Sequence, residues 1–336
     1  MDPGRSLREF RPGDAPRRVL HSCPMVISVE NLTRAYGSRR GVENVDLSIP
    51  RGSLYGFLGP NGAGKTTTIR VLLGFLRPTC GKALVMGMDC WSDSRRVKHQ
   101  VGYIPGDLRL YPWLTGHLAL SLFGSIRGMD LRGRGRDLAE MFDLDLSVKV
   151  RRMSRGMRQK LGLILSLAPD PALLILDEPT SGLDPLMQDR LQDHLRSVAR
   201  SGRTVFFSSH TLGEVERLCE RVAIVRNGRI VADDTLEALR RRAGHEVEIL
   251  WRGPPSGDPP AGLRLDERTD AAWKGMYHGP VSVLLTWIAA RGPEDVVIKR
   301  PDLETLFRSY YQTDERGPTD ERGGHPSPGQ DDRLGM

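Results

Sequence analysis

The rhythm of apolar and polar positions changes several times along the chain. Val26-Ile27-Ser28-Val29-Glu30-Asn31-Leu32 alternates as an edge strand does, and Tyr36-Gly37 closes it with a turn. Val42 to Ile49 alternates again, with Val45, Leu47 and Ile49 on one face, and Pro50-Arg51-Gly52 turns it into the short apolar strand Leu54 to Leu58. Lys65 to Leu76 is apolar at helical spacing; Thr79 to Met86 and Val101 to Pro105 read as strands. Leu110 to Leu167 is helical in character, with segments at His117 to Ile126, Gly135 to Phe142 and Met157 to Leu167, the last with Ser154 as its N-cap. Leu173-Leu174-Ile175-Leu176 is a continuous apolar run, the mark of a strand buried on both faces of a parallel sheet.

Beyond it, Thr180 to Pro185 caps a helix from about Leu186 to Ala199, and Thr204 to Phe207 is a second buried strand. Val222 to Val225 and Arg229 to Val231 flank Asn227-Gly228, a hairpin signal, and Leu236 to Arg242 is a helix that closes the first domain near Gly244. His245 to Trp251 and Val296 to Lys299 read as strands, Pro280 to Ala290 and Asp302 to Tyr311 as helices. The expected organisation is therefore an unstructured Arg-, Pro- and Gly-rich stretch at 1–24, a domain at 25–243 with a helical subdomain at about 107–168, a small domain at 244–312, and an unstructured tail at 313–336. The abrupt change of text at Met25 marks that residue as an alternative start of translation.

Composition narrows the function classes. The 336 residues carry a net charge of +7, almost all of it from Arg, since Lys occurs only at 65, 82, 98, 149, 160, 274 and 299. The Arg charges are scattered, so nucleic acid is not the expected partner; the expected reading is a solvated basic surface, which an anionic membrane nearby would also suit. Cys23, Cys80, Cys90 and Cys219 form no C-x-x-C pair, which predicts free thiols in a reducing compartment. No apolar run reaches the length of a membrane span, and no signal peptide pattern opens the chain. The expected location is the cytosol, or the cytosolic face of a membrane.

The chemistry gathers around Gly59-Pro60-Asn61-Gly62-Ala63-Gly64-Lys65-Thr66-Thr67, which fits the phosphate-loop pattern between a strand and a helix. Its glycines let the backbone bring N–H groups onto phosphate oxygens at a helix N-terminus. Lys65 is the expected partner of the β- and γ-phosphates, and the Thr66 hydroxyl of Mg²⁺. Asp177-Glu178 ends the buried run; Asp177 is placed to hold Mg²⁺, directly or through water, and Glu178 to take a proton from attacking water. His210 ends a strand expected to neighbour that run, which makes it a candidate γ-phosphate contact, and Tyr36 is a candidate to stack on a purine.

The order of these motifs from Val26 to about Arg242 resembles the ATP-binding subunit of ABC transporters. The resemblance implies an α/β fold: a P-loop ATPase core with a mixed, RecA-like sheet, an antiparallel β edge and a helical subdomain, followed by a small α+β domain. It also implies Tyr36 stacking on adenine, Ser154-Arg155-Gly156 as the centre of the signature, Ser181 to Asp184 as the D-loop and His210 as the switch histidine. Two ATP molecules would be sandwiched in a homodimer, each between one copy's phosphate loop and the other's Ser154 and Gly156. A separate integral membrane permease is the implied partner, with the loop Asp107 to Thr115 facing it. Rival readings are a soluble relative acting on ribosomes or DNA, for which neither a second phosphate loop nor sustained heptads is found, and a nucleotide-gated regulator.

Two departures stand out. The signature Met153-Ser154-Arg155-Gly156-Met157 keeps the family's Ser and second Gly but not the rest, and resembles the branch serving ABC-2-type exporters, drug and antibiotic efflux included. Where the family places a Gln that touches Mg²⁺ and water, this chain has Gly106 followed by Asp107. Two readings of Asp107 are open: a carboxylate that swings inward in place of that Gln, or an exposed residue of the permease-facing loop. Pro301-Asp302-Leu303-Glu304-Thr305-Leu306-Phe307 resembles a C-terminal motif of the same branch.

Overall fold

The computed structural model describes residues 25–37, 39–242, 244–254 and 257–300. The stretch 1–24, the expected helix Asp302 to Tyr311 with its motif, and the tail lie outside the described residues. In chain order the elements are β1 (Met25–Tyr36), β2 (Arg39–Pro50), β3 (Leu54–Leu58), α1 (Lys65–Leu72), β4 (Cys80–Val85), β5 (Met88–Asp89), α2 (Ser94–Gln100) and β6 (Val101–Ile104). Then follow α3 (Gly116–Arg127), α4 (Arg132–Met141), α5 (Arg155–Leu167), β7 (Leu173–Asp177), α6 (Pro185–Arg200), β8 (Thr204–Ser209), α7 (Leu212–Leu218), β9 (Arg221–Arg226), β10 (Arg229–Thr235) and α8 (Leu236–Arg242). The last elements are β11 (His245–Trp251), β12 (Leu263–Arg268), β13 (Ala272–Tyr277), α9 (Val281–Ala289) and β14 (Pro293–Lys299).

Three sheets result. The central one has the order β10-β9-β3-β8-β7-β6, parallel except for β10, and its inner strands β7 and β8 are buried at every position. The order β2-β1-β4-β5 is antiparallel, and one apolar core joins it to α1 and the central sheet through residues such as Ile27, Phe57, Ile69 and Phe206. The other face of the central sheet packs on α5, α6 and the helices that precede them, around Leu161, Ile164, Leu191 and Phe207. The third sheet, β12-β13-β11-β14, closes on α9 around Trp251, Trp273 and Leu284.

Two expectations need correction. β1 is not an edge strand: β2 and β4 pair with it on either side. Alternation reports one buried face but is silent about how many neighbours share the hydrogen bonds. The first helix ends at Leu72, short of Leu76, because Gly74 turns left-handed (φ +63°) where a Cβ would sit 2.2 Å from the Cys90 carbonyl oxygen.

The helices α3 and α4 are fastened to the central sheet by arginines. Arg127, at the end of α3, donates to the carbonyls of Lys98, His99 and Val101, closing the C-terminus of α2; its burial pulls the guanidinium below its usual pKa. Arg134 of α4 reaches Asp170 at 2.5 Å, and Arg203, at the entrance to β8, bonds the same carboxylate. Asp170 itself takes a left-handed turn (φ +54°) that Asn also tolerates. Asp170→Asn is therefore expected to keep the backbone but leave two guanidinium groups sharing a neutral acceptor. With all three side chains partly exposed, the cost is about 1 kcal/mol, a fall in melting temperature of about 2–4 °C. Thermal unfolding checks this; an unchanged midpoint would show that the cluster does not fasten α4.

Candidate functional site

The site forms where the parallel strands of the central sheet end. Leu58 pairs with Ser209 and Asp177 with Ser208, so the ends of β3, β8 and β7 lie side by side. Gly59 leaves β3 against β9, where a Cβ would meet the Val225 carbonyl oxygen at 2.4 Å. Pro60, Asn61 and Gly62 are exposed on the loop, with Gly62 left-handed (φ +81°) and open space around the Cβ it lacks. Ala63 and Gly64 are buried. Gly64 (φ +110°) leads into α1, and a Cβ there would strike Val42 Cγ1 at 2.7 Å. The loop is braced from the far side by the hairpin of β9 and β10: the Gly228 N–H donates to the Ala63 carbonyl and the Glu43 N–H to that of Gly228.

Lys65 is buried, and its ammonium donates to the carbonyls of Gly59 at 2.6 Å and Pro60 at 3.2 Å. It also meets Glu178 Oε1 at 3.2 Å. Glu178 Oε2 lies 3.3 Å from His210 Nδ1, so the carboxylate bridges the two groups. Thr66, on the first turn of α1, donates its hydroxyl to Asp177 Oδ2 at 2.9 Å; Thr67 is half-buried beside it. Asp177 is 2% exposed, and Ser208 donates to its other oxygen at 2.6 Å. Hence Lys65, Thr66, Asp177, Glu178 and His210, all singled out from the sequence, converge. Ser208 was missed as a partner: it reads as a strand residue, and the carboxylate it serves is 31 positions away. Glu214 was missed as well. It accepts from Thr180 at 2.8 Å and from Ser209 at 2.6 Å, tying the segment after Glu178 to the one before His210.

Other candidates stand farther out. Tyr36 ends β1 half-exposed, with the Arg34 guanidinium 5.2 Å over its ring. It lies against Gly41, whose carbonyl oxygen would be 3.0 Å from a Cβ on Gly64, and so stands next to the loop. Ser154 caps α5 by accepting from the Met157 N–H at 3.1 Å, and Asp184 caps α6 by accepting from the Met187 N–H at 3.0 Å. Their side-chain bonds run within their own helices and not to the 59–67 loop. At the departure point, a Cβ on Gly106 would lie 3.7 Å from Asp177 Oδ2, so a side chain at that position would enter the site. Asp107 does not: it is 77% exposed and pairs with Arg109 at 2.9 Å. Of its two readings, the structure takes the exposed one.

Whether a nucleoside triphosphate suits this arrangement follows from the donors. Backbone N–H groups at the start of α1, a buried ammonium held only by carbonyls and one carboxylate, and a left-handed glycine with open space above it make a cradle for phosphate oxygens. Thr66 and Asp177 offer hard oxygen atoms beside it.

Comparison with known proteins agrees. Residues 42–181 match the ABC transporter family. The daunorubicin resistance ATP-binding protein DrrA3 of Streptomyces coeruleorubidus is 34% identical over 306 residues, 86% of this chain and 97% of that protein. The Nod factor export ATP-binding protein I of Ralstonia nicotianae is 38% identical over 263 residues, 75% of this chain and 80% of its own length. A solved ATP-binding subunit of an ABC transporter, 32% identical, superposes with a TM-score of 0.62 and covers 65% of this chain and 92% of that one. A relative matched over nearly its whole length at this identity, on a fold that ends three strands at one phosphate cradle, shows that the chain belongs to the ATP-binding subunits of ABC transporters and is a P-loop ATPase.

Proposed function

We propose that this ATPase drives export through a separate permease, acting from the cytoplasmic face of the membrane as a homodimer that closes on two Mg²⁺-bound ATP molecules. The observation that carries the reading is the convergence of Lys65, Thr66, Asp177, Glu178 and His210 at the strand ends. Export is supported by relatives whose names tie them to daunorubicin resistance and Nod factor export. A peripheral subunit is in keeping with the absence, among the described residues, of any helix long and apolar enough to cross a membrane.

In this reading the γ-phosphate takes over the ammonium of Lys65, because a polyanion outcompetes one carboxylate and two neutral carbonyls. Glu178, released from Lys65, turns to the attacking water as its base, with His210 beside it to touch the γ-phosphate. Thr66 and Asp177 would hold Mg²⁺, which would supply positive charge beside the phosphates. Tyr36 would stack on the adenine. Ser154, Gly156 and the N–H groups of α5 would contact the nucleotide of the partner copy, and Asp184 would lie at the same interface. The permease would dock on the surface that carries Tyr111 and Trp113. These rings stack at 5.8 Å while 66% and 56% exposed, and Leu118, Leu122 and Ile126, at four-residue intervals on one side of α3, are exposed as well.

Lys65→Ala is expected to abolish ATP binding, read by fluorescent-nucleotide titration. Glu178→Gln is expected to bind ATP but not hydrolyse it, so that a dimer accumulates on size exclusion with ATP and Mg²⁺. A monomer under saturating ATP, alone and with the co-purified permease, would refute the sandwich. Ser208→Ala removes the shortest donor to Asp177, an interaction with a charged group worth about 1.5–3 kcal/mol. The expected result is an ATPase rate at least about tenfold lower, with a raised Mg²⁺ requirement in a metal titration. For the docking surface, Trp113→Asp should abolish co-purification with the permease from membranes while the isolated subunit keeps its ATPase rate.

A further inference from the structure

The first turn of α5 holds the segment that follows Glu178 in the same chain. Gly156 runs so close that a Cβ would sit 2.7 Å from the Gly182 carbonyl oxygen. Gln159, buried one turn later, donates to the Pro179 carbonyl at 2.9 Å. Between them Arg155 donates Nη2 to Ser181 Oγ at 2.7 Å, and its side chain packs on Gly182, whose missing Cβ would lie 3.4 Å from Arg155 Cγ. Ser181 in turn donates its N–H to the Glu178 carbonyl at 3.2 Å. A continuous set of contacts thus runs from the guanidinium of Arg155 to the backbone of Glu178.

We propose that Arg155 is a positioning residue that conveys the state of one ATP site to the other. The inference rests on the reading above, in which the turn containing Ser154 and Gly156 meets the nucleotide of the partner copy. The guanidinium sits in that turn and is spent on a neutral hydroxyl, so its charge is available to an incoming phosphate. With five N–H donors it can hold a phosphate oxygen and Ser181 together. Arrival of the partner's ATP then stiffens Ser181 and with it the Glu178 that serves the chain's own ATP. A Gly at this position lacks that link, and Lys, a single point donor, restores part of it.

The test uses the full chain with Arg155→Gly, Arg155→Lys, Ser181→Ala and the Arg155→Gly/Ser181→Ala double variant. Without nucleotide, Arg155→Gly should speed amide hydrogen exchange in residues 179–184, and Arg155→Lys should speed it less. With ATP, Arg155→Gly should leave monomer nucleotide affinity intact, lower kcat about tenfold and bring the Hill coefficient for ATP toward unity, with Arg155→Lys in between. The losses from Arg155→Gly and Ser181→Ala should not add, because both cut one path. Additive losses, a raised KM at unchanged kcat, or unaltered exchange in 179–184 would overturn the proposal. A wild-type chain that binds no ATP would instead overturn the functional reading, and the nucleotide-free exchange would still decide the Arg155–Ser181 link.

Discussion

Much of the structure depends on keeping one carboxylate buried. Asp177 is 2% exposed at the end of a strand buried on both faces, and a charge there is costly unless donors surround it. Thr66 brings one donor from the helix after the phosphate loop, Ser208 the other from the neighbouring strand. This fixes register as well as charge. Ser208 and Ser209 point to opposite sides of the sheet, the first to Asp177 and the second to Glu214. A slip of one residue that set Phe207 opposite Asp177 would leave the carboxylate facing an apolar side chain, without its nearest donor. The parallel pairing that places the phosphate loop beside Asp177 is thus held by side chains as much as by the backbone ladder.

Legibility followed how local each signal is. The glycine loop and the run Leu173–Leu176 ending in Asp177-Glu178 are short motifs whose residue types state their own chemistry, and both stand where the sequence places them. The donors that complete them were not legible, because Ser208 and Glu214 act across strands and their value lies in who faces them. β12 was missed for a related reason. Arg264, Asp266, Glu267 and Arg268 make it read as a polar stretch, and Leu263 alone is fully buried; it is a strand because β13 pairs with it. β13, in contrast, carries Trp273 and Tyr277 on its buried face, but Gly275 between them on that face and the apolar Met276 on the other weaken the alternation. α7, seven residues with Gly213 near its start, has too few turns to show a period. At Gly106 and Asp107 the sequence offered two readings, and only the direction of each Cβ separates them.

The same logic explains why the hairpin between β9 and β10 matters to a loop so far from it in sequence. A phosphate loop needs several N–H groups aimed outward, so its carbonyls must find partners elsewhere. Ala63 gives its carbonyl to the N–H of Gly228, and Gly228 passes its own carbonyl to Glu43 of β2. Gly228 can do this because it is left-handed (φ +79°) and because a side chain there would press on Val42 Cα at 3.1 Å. The ion pair of Arg229 and Glu43, 2.9 Å, closes the same junction between the antiparallel sheet and the central one.

Glu178 is the remaining point of tension. Its backbone is left-handed (φ +49°), a conformation that costs a residue of this type about 1–3 kcal/mol and persists only when neighbours impose it. The neighbours are visible: its N–H is held by the carbonyl and the hydroxyl of Ser208, its carbonyl by Ser181. The bend turns the side chain back over the phosphate loop, between Lys65 and His210, where an extended continuation of β7 would carry it past the sheet edge. The hydroxyl of Ser208 therefore serves two adjacent residues in different ways, as donor to the Asp177 carboxylate and as acceptor for the Glu178 amide. The Asp177 carboxylate and the Glu178 backbone are thus held by one side chain, which couples their positions.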